Sequence, residues 1–525
     1  MHCWASQQWY PFSKHILKNG VVLSGIVLAA CAVGVSDAAA AALRAGAAAA
    51  NITLDPPTAT IHDPLLAKVL VVDDGTTKVV IIGTDLGQAS SGLTAQIRSR
   101  LREELGIVEK NVLVNGSHNH HCQGQVAKDV VERIVKAVKQ AAGSMVPVRI
   151  GVGAGHEDRI TINRRLRMKD GHDWTIRRAN PSPLDSEVTG LGPLDPEIGI
   201  LRLDRLDGRR LAVVYNFAGH AYGGVPNGGV TADFPGFASK VLEEAMGGQG
   251  VALFLQGFAG DVTPVRYKDV DVPPPTEQLG TMLGMSTLAA ANRLDMKDAA
   301  TIRVAVETVE LPRRKAVEAR VKALEKEQEK LLKFFTGVGC GTHGAGTFLN
   351  FKTFLPLYMK HKIDPDWPAY SSYLYKHEQA TGRNDLELLD TENKKRVEKY
   401  LQCIYNMEKL IRVRSKLQGM KRHLRRDASV PVEIEIQGIR IGHFVLVTYP
   451  GEPFAEIGLR IKKQSPFEYT FVAGYSNGAV GYSPTADAYE SCAYEDMHSQ
   501  LAPEWQAIYE KKALEIIHRL QSPQP

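Results

Sequence analysis

Three histidines fall within four positions of the chain, in the segment NVLVNGSHNHHCQG. Residues 111–114 form an apolar run that predicts a short buried strand, so the loop that leaves its C-terminal end carries His118, His120 and His121. Ligands and metals collect at that end of strands in α/β folds. Imidazole is both a common metal ligand and a group that titrates near neutral pH. The pattern indicates metal binding combined with proton transfer; a solvent-exposed histidine tract on a surface loop is the alternative.

The spacing of these histidines predicts how they are arranged. On an extended segment, side chains two positions apart point the same way, so we expect His118 and His120 to share a site and His121 to point away from it. Cys122 follows directly and is either a thiolate ligand or a partner of Cys492, because connectivity cannot be assigned from sequence.

Three further segments place polar groups after predicted strands. His220 ends the strand in LAVVYNFAGHAYGG, and Glu452 follows the Pro-Gly turn in VLVTYPGEPF, just before a helix. The Gly-rich segment AGYSNGAVGYSPTADAYESCAYE carries Tyr475, Tyr482, Tyr489 and Tyr494. Taken singly, His220 could be a structural histidine, and Glu452 could be a carboxylate that stabilises the N-terminus of a helix. The tyrosines could be packing aromatics. Together they predict a metal site of nitrogen and oxygen donors, which suits Zn²⁺.

Composition limits the class of protein. The chain has 525 residues, enough for one large or two ordinary domains, and its 44% hydrophobic and 23% charged residues are typical of a soluble globular protein. The formal net charge of +5 is small and spread out, which argues against a nucleic-acid partner. The local basic run at 421–426 is interpreted as a solvated helix end.

The N-terminal segment, residues 1–42, has the order of a secretory signal. Lys14, His15 and Lys18 precede the apolar stretch 21–35 and a run of small residues at 38–42. The apolar stretch is short for a membrane span. We therefore expect export to the periplasm or the extracellular space. The sequence Leu-Ala-Ala-Cys ending at Cys31 resembles a lipobox, so a lipoprotein anchored at Cys31 is the alternative.

Helical and strand patterns alternate along the rest of the chain, which predicts an α/β fold with a mixed β-sheet core and flanking helices. Strands are predicted at 147–152, 198–203, 211–217, 251–255, 302–311 and 469–474, with hairpins over 67–84 and over 431–447 turning at Gln437-Gly438. Helices are predicted at 93–105, 126–142, 236–246, 275–295, 453–463 and 503–520.

The character of the chain changes between 313 and 427. Two charged helical stretches, 313–335 and 394–425, flank a middle rich in glycine and aromatic residues. We interpret 313–427 as an α-helical insertion, which could act as a lid, in a catalytic domain formed by 43–312 and 428–525. A coiled coil is the alternative, but the heptad pattern is not sustained.

The ordered set of these segments resembles the catalytic N-terminal domain of the neutral/alkaline (non-lysosomal) ceramidases, which are zinc-dependent amidases. GSHNHHCQG stands where the family has a THTHSG-type segment, and NFAGHAYGG matches its second histidine segment. ADFPGFA and QGFAGDVTP match its Pro-Gly helix start and its Gly-Asp-x-x-Pro loop. YPGEPF matches its Pro-Gly-Glu segment, and Tyr482 and Tyr494 match two tyrosines twelve apart. The resemblance covers most of 44–500 outside the insertion.

The resemblance implies a role for each matching residue. The implied zinc ligands are His118, His220, Glu452 and Tyr482. The implied catalytic residues are His120, near the scissile amide, Arg164 of the segment ITINRR, which contacts substrate, and Tyr494, which hydrogen-bonds the amide region.

The chain also departs from the family pattern. Thr263 stands where the Gly-Asp-x-Ser-Pro serine would be, and His121-Cys122-Gln123-Gly124 replaces the tail of the histidine motif. Because the sequence ends about 30 residues after Tyr494, we expect no counterpart of the family's C-terminal β-sandwich domain. This last departure and the insertion at 313–427, which has no counterpart in the family, bear on the substrate more than on the chemistry.

The sequence thus predicts an exported, bacterial-type zinc amidohydrolase of lipid metabolism. It would hydrolyse an N-acyl amide, with ceramide as the leading substrate, and could associate with a membrane surface. One alternative is a zinc amidase or esterase acting on a non-sphingolipid substrate. Another is a non-catalytic, metal-stabilised binding protein at the cell surface.

Overall fold

The structure, a computed structural model, describes residues 43–177, 183–226, 228–265, 276–298, 300–315, 317–336, 372–383, 385–424, 427–491 and 493–521, with six residues between 355 and 363. Residues 41–525 form one compact unit. The predicted signal segment and Cys31, Cys340 and Cys492 lie outside the described residues. No helix in the described ranges combines the length and the apolar character that crossing a membrane requires.

The strands follow the apolar runs of the sequence. In chain order they are β1 (Arg44–Asn51), β2 (Leu66–Asp73), β3 (Lys78–Thr84), β4 (Val112–Gly116), β5 (Val146–His156), β6 (Thr161–Asn163), β7 (Arg165–Met168), β8 (Asp173–Thr175), β9 (Val188–Leu191), β10 (Glu197–Arg205), β11 (Arg210–Phe217), β12 (Val251–Gln256), β13 (Val262–Pro264), β14 (Met296–Lys297), β15 (Ile302–Leu311), β16 (Val432–Ile441), β17 (Phe444–Thr448), β18 (Glu452–Pro453), β19 (Thr470–Ala473) and β20 (Tyr482–Ser483).

The helices lie between these strands. In chain order they are α1 (Ser91–Leu105), α2 (Val130–Gly143), α3 (Asp233–Ala245), α4 (Thr276–Ala291), α5 (Val317–Thr336), α6 (Ser372–Ala380), α7 (Asp385–His423), α8 (Ala455–Gln464), α9 (Tyr494–His498) and α10 (Trp505–Arg519).

Two mixed sheets pack face to face at the centre of the molecule. The larger runs in the order β12-β11-β10-β5-β1-β2-β3-β4, with β14 also paired to β5, and the smaller runs β15-β16-β17-β19. Apolar side chains of both sheets fill the space between them. Leu70 and Leu113 of the larger sheet and Ile439 and Phe471 of the smaller belong to one buried cluster. Burial of both inner faces is what holds the sheets together.

Helices cover the outer faces of both sheets. The amphipathic helices α1 and α2 pack on the β1–β4 half of the larger sheet, and α3 and α4 pack on its β10–β12 half. Helices α8 and α10 cover the smaller sheet, where Trp505 is fully buried. The layers therefore follow the order α/β/β/α, which confirms the predicted α/β fold with a mixed sheet core and flanking helices.

Most predicted elements are present close to their predicted bounds. Helix α1 ends at Gly106, whose φ of 65° is the left-handed conformation that glycine adopts most readily. Helix α2 was predicted from 126 but begins at Val130, because residues 126 and 127 pair instead with the chain at 52–53. The helix predicted over 275–295 ends at Ala291, and residues 296–297 pair with β5.

The prediction of a turn at Gln437-Gly438 is wrong. Both residues lie inside β16, and the turn falls at Gly442, whose φ is 60°. A β-carbon at Gly438 would lie 2.4 Å from Cγ2 of Ile516 on α10, so this glycine allows a helix to pack closely against the sheet.

Two long helices lie between β15 and β16, which are adjacent antiparallel strands. Val321, Leu324 and Leu331 of α5 share a buried cluster with Leu410 and Leu417 of α7. Opposite charges join the same two helices on the outside, as in the pair of Lys421 with Glu325 at 2.7 Å. The domain boundaries placed at 313 and 427 remain a prediction.

Candidate active site

Parallel strand pairs bring four loops to one region of the molecule. Strands β3 and β4, β11 and β12, and β17 and β19 are parallel neighbours, so each pair presents its C-terminal ends together. The loops after β4, β11 and β19 carry His118, His220 and Tyr475, and Glu452 begins β18 directly after the loop that follows β17. Residues far apart in sequence thereby contribute to one site, as is usual at this end of strands.

The histidine loop holds His118 and His120 against each other. Nε2 of His120 lies 3.1 Å from Nε2 of His118, so the two side chains do share a site. The segment is not extended, however, because His118 has a φ of 57°. Backbone hydrogen bonds from Asn119 to Leu86 and from His120 to Ala221 hold this bent path in place. The expected convergence occurs, but tertiary hydrogen bonds cause it rather than strand geometry.

His118, His220 and Glu452 form a compact buried group. Oε2 of Glu452 lies 3.4 Å from Nε2 of His118 and 3.6 Å from Nε2 of His220. The Nδ1–H of His220 donates to the carbonyl oxygen of Ala259 at 2.7 Å, which leaves the Nε2 lone pair directed into the site. Such a second hydrogen bond is how proteins orient a metal-ligating imidazole.

Two atoms of this group show that a cation fits there. Nε2 of His220 and Oε2 of Glu452 are buried, and neither has a hydrogen-bond partner in the described part of the chain. Burial lowers the pKa of His220 well below its usual value and so keeps the ring neutral. Burial alone would raise the pKa of Glu452, but the neighbouring His118 and a hydrogen bond from Tyr475 lower it. Neutral imidazoles and an ionised carboxylate are the forms that bind metals.

His120 completes a triad with ligand geometry. His118, His120 and His220 each offer one nitrogen, and these atoms lie within 4.8 Å of one another. His120 is the exposed member, and its ring meets Tyr222 edge-on with the centroids 4.7 Å apart. Burial, together with the neighbouring His118, lowers the pKa of His120 to about 2. The ring is therefore neutral at physiological pH.

His121 and Cys122 do not join this group. Nε2 of His121 lies 3.8 Å from a carboxylate oxygen of the buried Asp233, on the other side of the loop. Among the described cysteines, Cys122 is free and Cys403 is disulfide-bonded. The thiol of Cys122 approaches the carbonyl oxygen of Asn119 at 3.6 Å. Cys122 is not among the described side chains that could hold a metal together.

Arg164 lies behind the site in a fully buried network. Its Nε donates to Glu495 at 2.8 Å, and its Nη2 donates to the carbonyl oxygen of Gly260 at 2.8 Å and to the hydroxyl of Tyr482 at 3.1 Å. The side chain of Arg164 is only 3% exposed, and it reaches toward the histidine group only as far as the hydroxyl of Tyr482. Strand pairing places Tyr482 directly beside Glu452.

Tyr494 lies further out, beside Tyr482. The two rings meet edge-on with centroids 5.6 Å apart, and the guanidinium of Arg177 lies 3.7 Å from the centre of the Tyr494 ring. A cavity next to Tyr494 is also lined by Arg412 and Lys416 of α7. The outer part of the site is therefore aromatic and cationic.

Sequence reasoning missed two residues of the site. Glu495 follows Tyr494 directly and is fully buried, yet it resembled an ordinary helix-terminal acid. Tyr475 was one of several tyrosines in a Gly-rich loop, and its neighbours gave no sign that its hydroxyl lies 2.8 Å from Nε2 of His118. In both cases the partner is more than 300 positions away in sequence.

The fold and the site define a mixed α/β protein in which imidazole, carboxylate and phenol groups form a candidate metal centre. No protein-family model matches the chain. The chain is 21% identical over 495 residues to the neutral ceramidase of Mycobacterium tuberculosis, an alignment that covers 84% of this chain and 69% of that protein.

Solved structures agree with this similarity. The neutral ceramidase from Pseudomonas aeruginosa superposes with a TM-score of 0.60 at 16% identity, over 92% of this chain and 76% of that one. A ceramidase complexed with C2 superposes with a TM-score of 0.58 at 17% identity, over 92% and 75% of the two chains. The comparisons confirm the resemblance to the neutral ceramidase family and the fold inferred from it.

Proposed function

We propose that this protein is a zinc-dependent amidohydrolase that cleaves the N-acyl amide bond of a lipid. Ceramide is the leading substrate, and its products would be a fatty acid and a sphingoid base. The observation that carries the proposal is the convergence of His118, His220 and Glu452, with two buried polar atoms that lack partners. Sequence similarity to a neutral ceramidase supports the choice of reaction.

The donor set favours zinc, with His118, His220, Glu452 and Tyr482 as its proposed ligands. Imidazole nitrogens and a carboxylate oxygen without a thiolate suit a catalytic Zn²⁺ site. When bound, zinc would activate a water molecule and polarise the amide carbonyl.

The chain's own groups supply proton transfer and the positioning of a ligand. His120 is the exposed histidine beside the proposed ligands, so we assign it the transfer of a proton from the attacking water to the departing amine. Arg164 donates a hydrogen bond to the hydroxyl of Tyr482 and so positions this proposed ligand. Tyr494 borders the adjoining cavity, where it can hydrogen-bond the amide region.

The second candidate is a zinc amidase or esterase acting on a non-sphingolipid substrate. The observation that favours it is the cavity beside Tyr494, whose lining includes Arg412 and Lys416 as well as Asp173. The guanidinium of Arg177 lies over the Tyr494 ring. Such a lining suits a substrate with a polar or anionic end. A non-catalytic binding protein is disfavoured because His120 adds an exposed base to the metal ligands.

Export and association with a membrane surface complete the proposal. The order of charged, apolar and small residues in 1–42 supports a signal segment, and Cys31 offers a site for lipidation. The mass of the mature N-terminal peptide separates the two outcomes, because a lipidated chain would begin at Cys31.

The decisive experiment pairs metal analysis of the purified mature protein with release of fatty acid from a fluorescent N-acyl-sphingosine. We expect about one zinc per chain and turnover that a chelator abolishes and added zinc restores. Zinc without turnover would retain the site and move the substrate to the second candidate, which a panel of amides and esters would then identify. Failure to bind zinc, even on reconstitution, would contradict the site assignment.

A further inference from the structure

Tyr475 lies at the centre of the candidate metal site without a role assigned by the resemblance. Its hydroxyl is 2.8 Å from Nε2 of His118, and its ring stacks on the imidazole with centroids 4.0 Å apart. Burial and the neighbouring carboxylate of Glu452 raise the pKa of the same phenol. The side chain of Tyr475 therefore contacts one proposed metal ligand and lies beside a second.

The backbone at Tyr475 is held in an unusual conformation. Its φ is 48°, in the left-handed region that residues with a β-carbon rarely adopt. Two backbone hydrogen bonds hold it there, one donated by Tyr475 to Gly451 at 3.0 Å and one accepted from Gly116 at 3.1 Å. These bonds tie Tyr475 to the loop before Glu452 and to the end of the strand before His118.

The hydroxyl of Tyr475 has one proton to donate, and two hydrogen-bond acceptors lie near it. Nε2 of His118 and the carboxylate of Glu452 are both acceptors, and a tyrosine hydroxyl can donate to one acceptor at a time. Oε2 of Glu452 and Nε2 of His220 stay unpaired nearby. A bound cation would interact with these inward-facing lone pairs, including those of the phenol oxygen.

Tyr482 occupies a different environment. Its hydroxyl accepts a hydrogen bond from Arg164 at 3.1 Å and is more open to solvent, whereas Tyr475 is only 5% exposed. The phenol that contacts His118 directly is thus the one that the resemblance leaves without a role.

We propose that Tyr475 contributes its phenol oxygen to the coordination of the metal held by His118, His220 and Glu452. The proposal rests on the metal site proposed above, and it is independent of the substrate and the reaction. It adds a ligand from the loop after β19 to the histidine loops after β4 and β11. Binding of the metal would then join the smaller sheet to the larger one.

The test uses the colour that a phenolate gives to bound Cu²⁺. The full-length protein is stripped of metal and titrated with Cu²⁺, and the phenolate-to-copper charge-transfer band is recorded. Tyr475→Phe is compared with Tyr482→Phe and with Tyr489→Phe, a control in the same segment whose hydroxyl bonds Ser499 at 2.9 Å, away from the histidines. Competition with a chromophoric chelator gives the zinc affinity of each variant.

We expect the full band in the wild type and in Tyr489→Phe, and a residual band in Tyr482→Phe, which keeps Tyr475 after removal of the other proposed phenol ligand. The band should be lost or strongly reduced in Tyr475→Phe. The zinc affinity of Tyr475→Phe should fall by at least about 10-fold, the lower end of what loss of a residue supporting a metal ligand costs. A band of undiminished intensity in Tyr475→Phe, or no band in copper-loaded wild type, would overturn the proposal.

Two further outcomes distinguish the proposal on Tyr475 from a folding defect and from failure of the proposed reaction. If Tyr475→Phe does not fold, as judged by its thermal transition, Tyr482→Phe decides: a retained band supports Tyr475 and a lost band overturns it. An intact band in a protein that hydrolyses no amide would refute the proposed reaction and leave this proposal standing. Failure to bind any metal would refute both.

Discussion

The carboxylate of Glu495 accepts a hydrogen bond at 2.8 Å from Nε of Arg164, a residue 331 positions earlier in the chain. Arg165 donates to the other oxygen of the same carboxylate at 2.9 Å, and Thr175 donates to that oxygen at 2.7 Å. Burial would raise the pKa of Glu495, but the two arginines and the threonine lower it, so the group is an anion inside the protein. This anion holds Arg164 where it can support Tyr482.

Removal of this buried anion should strongly destabilise the fold. In Glu495→Ala, two buried guanidinium groups lose their shared partner, and breaking a buried ion pair in this way typically costs about 3–5 kcal/mol. Chemical denaturation of the purified variants measures the change in the free energy of unfolding. Glu490→Ala, at an exposed position of the same segment, should stay within about 0.5 kcal/mol of wild type. Equal stability of the two variants would contradict the structural role of Glu495.

His120→Ala should separate chemistry from metal binding. Loss of a general acid–base group typically reduces the rate by roughly 10²–10⁴-fold. His118, His220 and Glu452 would remain, so the zinc content should be close to that of wild type, as measured by elemental analysis. His121→Ala is the matched control, because His121 lies against Asp233 on the other side of the loop. Comparable losses of turnover in both variants would show that the loop, and not the His120 imidazole, is responsible.

Glu452→Gln should weaken metal binding. The substitution keeps the size of the side chain but removes the negative charge that lies 3.4 Å and 3.6 Å from two imidazole nitrogens. Zinc retention after dialysis against a weak chelator is the measurement. Glu456→Gln makes the same chemical change in the first turn of α8, where Glu456 pairs with Arg460 at the surface. If Glu452→Gln retains as much zinc as Glu456→Gln, the ligand assignment is refuted.

Gly438→Ala tests the close approach of α10 to β16. The added methyl group would lie 2.4 Å from Cγ2 of Ile516, so the helix must shift, and overpacking of this kind costs about 1–3 kcal/mol. Gly92→Ala is the control, because a β-carbon there meets nothing within 4 Å and a helical alanine should stabilise by about 0.5–1 kcal/mol. Thermal denaturation should therefore give a lower melting temperature for Gly438→Ala and a higher one for Gly92→Ala. A melting temperature of Gly438→Ala that is not below that of wild type would contradict the packing argument.

Local sequence patterns predicted most of the secondary structure. Strand β15 occupies the predicted residues 302–311, and Gly106 ends α1 as expected, because apolar periodicity and a left-handed glycine are properties of neighbouring residues. The turn predicted at Gln437-Gly438 failed for the opposite reason. Gly438 is needed for contact with a helix some 80 residues later, and such a contact leaves no trace in its immediate neighbours.

The sequence by itself determined which chemical groups are available and that they follow strands. It indicated a set of candidate site residues, because polar residues after buried strands fall at the edge of a sheet where ligands bind. These candidates are His118, His120, His220 and Glu452. Only the tertiary structure decided how these groups meet. The positive φ of His118, the anchoring of Arg164 by Glu495 and the placement of Tyr475 on His118 all depend on contacts between distant segments. Such contacts are set by the packing of whole sheets and helices, which local spacing does not encode.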